Sequence, residues 1–355
     1  MSLSTVLLAI AVTLNAVPDK ELERAFVNTN GWTGGDAAYS VPLSKQRSLW
    51  LFGDSFIGRI EKGVRTKMDM VHNAAAWMDE DAQGRLKARF FWRRKPNSAE
   101  PNSLMAPKDA KRYYWPSALL EKAGKLAVFC KVVENVPGDK TGFGFNWLGE
   151  ELVLVDNADA QPTQWHQRMV ALPAGEVEIM PGAGALIDEG FAYIYSTRKE
   201  GNAHNVVLMR IPSAALFEGD TSKFEYWSTK WEPTPLNCTT LFAGAPELSV
   251  SRVEGLPGYW CIYTENGLSD KILLRHADKP EGPWSEPMLA YTAPEAARDK
   301  TLSCYGAKAH PELANEPRTL VVTYCLNPGG AAEHKIHPYA YFPRAIKILI
   351  KPTTE

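Results

Sequence analysis

The chain has 355 residues, a formal net charge of −2 and a hydrophobic content of 45%, so it can bury a large core. A charge this close to zero argues against the basic surfaces that bind nucleic acids or anionic membranes, and we expect neither partner. Its 11 Trp, 13 Tyr and 13 Phe favour strands, and its 26 Gly and 25 Pro favour turns. An all-β fold is predicted.

The first element in the chain is an apolar N-terminal segment. Residues 6–12 resemble the hydrophobic part of a signal peptide, and residues 14–16 could serve as its cleavage site. No Lys or Arg precedes this segment, and it is too short to span a bilayer. The alternative is an apolar segment packed on the edge of the fold. We favour a signal peptide over residues 1–16, a single domain over 17–355 and export to the periplasm or the medium, with the cytoplasm as the alternative.

Five similar hairpins follow. In the first, the small residues at 34–40 lead through a polar turn near residue 45 into the aromatic-rich run at 49–54. The other four occupy residues 115–130, 182–195, 244–263 and 306–324. Such repetition predicts a five-bladed β-propeller, with blades of about four antiparallel strands around a central channel. A strand over residues 25–29 is expected to pair with the last strand and close the ring.

Two carboxylates mark the first hairpin. Asp36 and Asp54 are equidistant from the turn, so antiparallel strands place them nearly opposite each other. Like charges in that arrangement repel, and among the five hairpins only this one carries Asp at both paired positions. The pair therefore indicates a functional site. The alternative is that each Asp caps its own Gly-rich turn.

Other polar and aromatic residues are expected at the same rim. In each hairpin, residues that are equidistant from the turn should lie opposite each other at this rim, and the connections that follow the second strands should emerge there too. Together they predict a set of substrate-binding residues: His72, Asn73, Trp115, Lys131, Trp147, Arg198, Glu265 and His310. Glu247 is expected opposite Glu265. The rim at the other end carries only short polar turns.

These motifs resemble a known family. Residues 34–36 (Gly-Gly-Asp) and 49–54 (Leu-Trp-Leu-Phe-Gly-Asp) are similar to the opening blade of a five-bladed propeller family formerly of unknown function, some of whose members are endo-D-arabinanases. Residues 277–284, ending in Gly-Pro-Trp, resemble an outer-blade turn of the arabinanase, β-xylosidase and β-fructosidase propellers. The resemblance covers residues 26–350 and implies a glycosidase. The chain departs from the family pattern at Ala37 and Ser55, where Gly and Thr are expected.

Glycoside hydrolysis needs one protonated and one ionised carboxyl group. The family resemblance favours Asp36 and Asp54 as this couple, whereas the related glycosidases favour one Asp with a remote acid, for which Glu247 is the candidate. Glu247 could instead hold its own loop. Trp115 and Trp147 could stack on sugars, although Trp115 could also fill the channel wall.

The metal and cofactor expectations are modest. His310 could orient a carboxylate or a substrate hydroxyl, or could help to hold Ca²⁺ in the channel. His72 and Asn73 could donate hydrogen bonds to sugar hydroxyls or simply begin a strand. We expect no required cofactor and no zinc site.

Three functions remain open from the sequence. The first is a glycoside hydrolase acting on a polysaccharide or oligosaccharide, and the second is a glycoside phosphorylase with Lys131, Arg198 and His204 as its phosphate site. The third is a noncatalytic carbohydrate-binding propeller. In each case we expect a monomer.

The five cysteines do not fix the compartment. Those at positions 130, 261 and 325 lie inside apolar strands and are expected to pack as small hydrophobic residues. Cys238 and Cys304 could form a disulfide in an exported protein.

Overall fold

The computed structural model describes residues 11–136, 144–173, 178–201 and 203–353. Antiparallel strands dominate. Up to residue 102 the strands are β1 (Val12–Pro18), β2 (Asn30–Gly35), β3 (Tyr39–Ser44), β4 (Arg47–Phe52), β5 (Ser55–Glu61), β6 (Val64–Val71), β7 (Ala74–Glu80), β8 (Leu86–Phe91), β9 (Arg93–Arg94) and β10 (Pro101–Asn102). Up to residue 243 they are β11 (Arg112–Lys122), β12 (Lys125–Asn135), β13 (Phe145–Val155), β14 (Gln167–Ala171), β15 (Met180–Asp188), β16 (Phe191–Glu200), β17 (Ala203–Pro212), β18 (Glu225–Trp227), β19 (Trp231–Glu232) and β20 (Phe242–Ala243).

The remaining strands are β21 (Leu248–Ser251), β22 (Tyr259–Thr264), β23 (Lys271–Ala277), β24 (Met288–Thr292), β25 (Ser303–Ala309), β26 (Thr319–Asn327) and β27 (Arg344–Pro352). The helices are short: α1 (Lys20–Phe26), α2 (Ser213–Glu218), α3 (Pro294–Arg298) and α4 (Ala331–Ile336). Single 3₁₀ turns lie at Pro162–Gln164, Thr221–Lys223, Pro235–Asn237, Glu265–Gly267 and Pro311–Leu313. In the described ranges, no helix has the length and apolar character needed to cross a membrane.

Within the described residues, the strands form five larger antiparallel sheets in chain order: β3-β4-β7-β8, β11 to β14, β15 to β19 with β20, β21 to β24, and β25-β26-β27-β1. The first strand of each sheet contacts the first strand of the next, from β3 through β11, β15 and β21 to β25. All five first strands line one cavity of about 420 Å³. The sheets therefore surround a channel in a propeller-like arrangement, and the predicted all-β fold is confirmed.

The hydrophobic core lies between neighbouring sheets. Five buried clusters each join one sheet to the next, including one that packs Trp50 and Phe52 of the first sheet with Val321 and Ala345 of the last. Because the first and last sheets share a cluster, apolar packing continues around the channel.

The N-terminus completes the last sheet in a way that the sequence did not predict. β1 pairs with β27 from Val12 opposite Pro352 to Pro18 opposite Ile346. The prediction of a closing strand at residues 25–29 is wrong, because residues 20–26 form α1. The side chain of Asp19 accepts a hydrogen bond from the Leu22 N–H at 3.2 Å, and Leu22 and Phe26, spaced by one turn, are both buried. The predicted leader boundary after residue 16 falls within β1, and residues 1–10 lie outside the described residues.

The predicted hairpins are confirmed. Tight turns join Ser44 to Arg47, Lys122 to Lys125, and Asp188 to Phe191, and longer connections join β21 to β22 and β25 to β26. The pattern of a first strand rich in small residues followed by an apolar second strand thus predicted the repeated hairpin.

The disulfide that the sequence left open between Cys238 and Cys304 is not formed. Cys238 and Cys304 are both free and buried, Cys238 beside the third sheet and Cys304 in β25 of the fifth. The other three cysteines pack within β12, β22 and β26, as expected.

Candidate active site

Asp36 and Asp54 face each other where two sheets meet. Asp36 joins β2 to β3, Asp54 joins β4 to β5, and the ladder continues past them from Tyr39 opposite Leu51 to Gly35 opposite Ser55. The N–H of Asp36 donates to the carbonyl oxygen of Asp54 at 3.2 Å. The prediction that these two residues lie opposite each other is confirmed.

The backbone around the pair is unusual. Ala37 and Ala38 have φ of 66° and 55°, the left-handed region that residues with a side chain rarely adopt. Such strain is retained where the surrounding structure requires it, often at functional sites. Gly53 provides space, because a Cβ atom there would lie 2.5 Å from Oδ1 of Asp36.

The environment of Asp36 favours its protonated form. Tyr305 donates its O–H to Oδ2 at 2.7 Å, and Tyr341 supplies a second hydrogen bond. Burial, followed by the negative charge of Asp54 and then that of Glu247, raises the pKa of Asp36 to about 7, although the two tyrosines oppose the shift. Asp36 can therefore hold or release a proton near neutral pH.

Asp54 has a different environment. The indole N–H of Trp115 donates to Oδ1 at 2.7 Å, and Nδ1 of His72 lies 2.8 Å from the same oxygen. The His72 ring stacks on Tyr113 with centroids 3.7 Å apart, which fixes its orientation. The Asp54 side chain is 22% exposed, and no described residue donates a hydrogen bond to its Oδ2. One oxygen is anchored while the other can meet a ligand or water.

Glu247 lies close enough to Asp36 to influence its pKa. Nζ of the buried Lys308 is 2.5 Å from Oε2 of Glu247, and the Tyr39 O–H donates to the same oxygen at 3.2 Å. Burial raises the pKa of Glu247, but the ammonium groups of Lys308 and Lys131 together with these hydrogen bonds outweigh it, so that the pKa is lowered overall. Its surroundings thus favour the ionised carboxylate, whereas the role of proton donor expected for Glu247 from the sequence requires the protonated form.

Two of the predicted substrate-binding residues contact the pair, and two more lie on the neighbouring strands of the second sheet. Trp115 and His72 contact Asp54 directly. Lys131 lies opposite Trp115 on β12, as the sequence predicted. Trp147 is on β13, the next strand of the same sheet, and its indole is close enough to Glu150 to lower the pKa of that carboxyl without a well-formed hydrogen bond.

Asn73 and Glu265 correct the prediction. Asn73 is fully buried, and its amide bonds to the backbone of Met105 and Tyr114, so it holds its loop and does not face a ligand. Leu248 pairs with Tyr263, so the register differs by one residue from the predicted Glu247–Glu265 pairing. Glu265 accepts a hydrogen bond from its neighbour Ser269 and lies 3.5 Å from Lys271.

Arg198 is also engaged elsewhere. Its guanidinium donates to Glu200 at 2.9 Å, to the Cys238 carbonyl and to the Thr240 hydroxyl. The turn pairs Asp188 with Phe191 and Gly184 with Tyr195, a register one residue away from the predicted pairing of Gly182 with Arg198, and an irregularity between Met180 and Gly184 shifts it further.

His310 is buried in the channel. Nδ1 lies 2.6 Å from the hydroxyl of Ser40, and Nε2 lies 2.7 Å from that of Thr323. Burial, with a contribution from Lys308, lowers the pKa of His310 to about 3. Since both ring nitrogens bond to hydroxyls, His310 fits a role in positioning β3 better than one as a metal ligand. In the described ranges no three His, Cys, Asp or Glu side chains converge as metal ligands, and the channel Ca²⁺ stays a prediction.

Several residues of the site were missed by the sequence reasoning. They are Tyr39, Glu150, Tyr305, Lys308 and Tyr341. Lys308 did carry a signal, because a Lys is unusual among the small residues that begin a hairpin, and Lys308 lines the channel. Tyr341 lies in the connection between α4 and β27, where no repeat pattern predicts its position.

Comparisons with known proteins agree with the fold. A family described as "Domain of unknown function (DUF5005)" matches residues 19–346. No curated protein matches the sequence. The crystal structure of a "putative hydrolase" from Bacteroides ovatus superposes with a TM-score of 0.75 at 16% identity, covering 94% of this chain and 90% of that one.

Two glycosidases are more distant. A thermostable family-43 glycoside hydrolase has a TM-score of 0.48 at 12% identity, with 93% of this chain and 96% of that one covered. The catalytic domain of a family-62 α-L-arabinofuranosidase from Coprinopsis cinerea has a TM-score of 0.46 at 11% identity, with 91% and 97% covered. Only the first likeness is strong enough to bear on the fold.

Proposed function

The chain belongs to the DUF5005 family, described as a domain of unknown function, and from the chemistry of its site we propose that it is a glycoside hydrolase built on a five-bladed β-propeller. Its substrate is a polysaccharide or oligosaccharide that binds at the channel mouth. The observation that carries the proposal is the Asp36–Asp54 pair, in which two facing carboxyl groups have different surroundings. Glycosidases depend on such a difference, because one carboxyl must carry a proton while the other is ionised.

Asp36 is the general acid in this proposal. A group that titrates near neutral pH transfers protons efficiently at that pH, and the pKa of Asp36 is raised to about 7. Its proton goes to the glycosidic oxygen as the bond to the anomeric carbon breaks. Tyr305 and Tyr341 orient the carboxyl, and burial together with the Asp54 and Glu247 charges keeps the proton on it.

Asp54 is the base or the nucleophile. Trp115 and His72 anchor Oδ1, which leaves Oδ2 to activate water or to attack the anomeric carbon. Glu247, paired with Lys308, acts on Asp36 through its charge and does not donate the proton. This differs from the sequence interpretation, in which Glu247 was the candidate acid.

The experiment is a screen of plant, algal and mycobacterial polysaccharides, D-arabinan included because of the family resemblance, for released sugars. We expect Asp36→Asn and Asp54→Asn each to reduce turnover by at least about 100-fold while ligand affinity is kept. Asp69→Asn is the matched control, since Asp69 is an acidic residue on nearby β6 that pairs only with Lys67 among the described residues. Turnover that survives both substitutions would refute the assignment.

The alternative functions give different results in the same assays. A noncatalytic carbohydrate-binding propeller would bind sugars but release none. A phosphorylase would require phosphate for product formation, and of its three expected phosphate ligands Arg198 is already bonded within the protein.

A further inference from the structure

A polar row continues from the Asp36–Asp54 pair across the second sheet. Trp115 on β11 lies opposite Lys131 on β12, and Lys131 lies opposite Glu150 on β13. Directly opposite residues of antiparallel strands project from the same face. Because Trp115 also donates to Asp54 at 2.7 Å, the row begins at the proposed catalytic site.

The row ends in buried polar atoms that lack well-formed hydrogen bonds. In the described ranges these are Oε1 of Glu150, Nε1 of Trp147 and Nδ1 of His204, although the Trp147 indole lies close enough to Glu150 to lower the pKa of that carboxyl. Lys131 forms neither a hydrogen bond nor an ion pair with any described residue. Buried polar groups without partners are rare in native proteins, because each loses its hydration without replacement. Several of them together point to a ligand.

Lys131 on β12 pairs with Glu150 on β13, the strand that also carries Trp147. The Lys131 ammonium is close enough to His204 on β17 and to Glu247 to influence the pKa of each, as well as that of Glu150. The polar row of the second sheet therefore approaches both the third sheet and Glu247.

We propose that Lys131, Glu150, Trp147 and His204 form a subsite that binds an anionic group beside Asp54. The group is either a charged substituent of the sugar substrate, such as a uronate carboxylate or a sulfate, or free inorganic phosphate. As a specificity subsite it rests on the proposed hydrolase function, whereas anion binding itself can be measured without turnover.

The donor chemistry of these four residues explains this choice. Lys131 offers an ammonium group and Trp147 an indole N–H, both of which only donate. Burial raises the pKa of Glu150 to about 8 despite the opposing effect of Lys131, so near neutral pH Glu150 is a carboxylic acid whose O–H also donates. Burial, with Lys199 and Lys131, lowers the pKa of His204 and keeps its ring neutral. A ligand rich in acceptors and carrying negative charge satisfies these groups.

The test is calorimetric titration on the Asp36→Asn background, so that no probe is hydrolysed. The probes are uronate-containing oligosaccharides, their carboxyl-reduced counterparts, sulfated oligosaccharides and inorganic phosphate. We expect at least one anionic probe to bind about tenfold more tightly than its neutral counterpart, or phosphate to bind measurably. Lys131→Met should abolish that preference, whereas Lys125→Met, which removes an exposed charge at the far end of β12, should leave it intact.

The outcomes separate the two proposals. Lys131-dependent binding of an oligosaccharide anion assigns the charge to the substrate, and Lys131-dependent binding of phosphate alone assigns it to the free ion. Anion binding by the Asp36→Asn variant, with no sugar released from any substrate by the wild-type protein, would support the subsite and count against the hydrolase. Equal affinity for charged and neutral probes, or identical behaviour of Lys131→Met and Lys125→Met, would overturn the subsite.

A pH series tests the role of Glu150. Among the described residues Lys131 is the charged group acting on Glu150, and that ammonium also faces His204 and Glu247. Anion affinity should fall as the pH rises through about 8, where Glu150 ionises, and Glu150→Gln should bind similarly on both sides of that pH. At about pH 6 the Glu150 side chain of the wild-type protein and the Gln that replaces it are both neutral. Loss of binding in Glu150→Gln at that pH would therefore contradict the proposed donor role.

Discussion

Replacing Asp36 by Asn should make the protein more stable at alkaline pH. Asn keeps an oxygen that accepts the Tyr305 hydrogen bond, but it never carries the negative charge that is held close to Asp54. A residue retained at a cost to stability is typical of a functional site. A carboxylate that served only structure would show the opposite effect.

The magnitude follows from the raised pKa. The pKa of Asp36 moves from 3.8 to about 7, and one pKa unit corresponds to about 1.4 kcal/mol, so ionising Asp36 in the folded state costs up to about 4 kcal/mol. Below pH 3.8 the group is protonated in both folded and unfolded chains, and the cost is absent. It develops as the pH rises between the two pKa values and is complete above about 7.

The assay is denaturant unfolding of wild type, Asp36→Asn and the control Asp69→Asn across the pH range. Because Asp36 retains some solvent contact, we expect Asp36→Asn to gain about 2–4 kcal/mol at about pH 8 and little at about pH 4. Asp69→Asn should change by less than about 1 kcal/mol at both pH values. Equal or lower stability of Asp36→Asn at alkaline pH would refute the reasoning.

Three further predictions follow from the same contacts. Hydrolytic activity should decline as the pH rises through about 7, where Asp36 loses its proton, and a pH–rate profile that is flat there would argue against Asp36 as the acid. Lys308→Met should leave the partly buried Glu247 without its counter-ion, raise the pKa of Glu247 and cost up to about 3 kcal/mol in an unfolding titration; an unchanged unfolding midpoint would contradict this. Gly53→Ala should lower turnover at least about tenfold, because the added methyl group would lie 2.5 Å from Oδ1 of Asp36; wild-type kinetics would show that the carboxyl can move without loss.

The sequence predicted contacts that depend on a tight turn. Asp36 faces Asp54, and Trp115 faces Lys131, because each hairpin combines a short turn that the residues reveal with an irregularity that shifts the register by one residue, between Pro42 and Ser44 and between Pro116 and Ala118. The Glu247–Glu265 pairing failed because a longer connection separates β21 from β22, and a shift of one residue turns a side chain to the other face.

Contacts between sheets could not be predicted in this way. Tyr305 reaches Asp36 across 269 positions of sequence, and no local pattern encodes that approach. The raised pKa of Asp36 and the lowered pKa of Glu247 depend on the same long-range neighbours. The helix at residues 20–26 was predictable from its Asp19 cap and from the spacing of Leu22 and Phe26, signals that the strand prediction overlooked.

The most direct test of the acid role of Asp36 compares two substrates of the Asp36→Asn variant. One is the oligosaccharide identified by the polysaccharide screen, and the other is an aryl glycoside of the same sugar whose leaving group needs no proton. We expect Asp36→Asn to lose at least about 100-fold on the oligosaccharide and less than about tenfold on the aryl glycoside. Equal losses on both substrates, or no loss on either, would contradict the assignment of Asp36 as the residue that protonates the leaving oxygen.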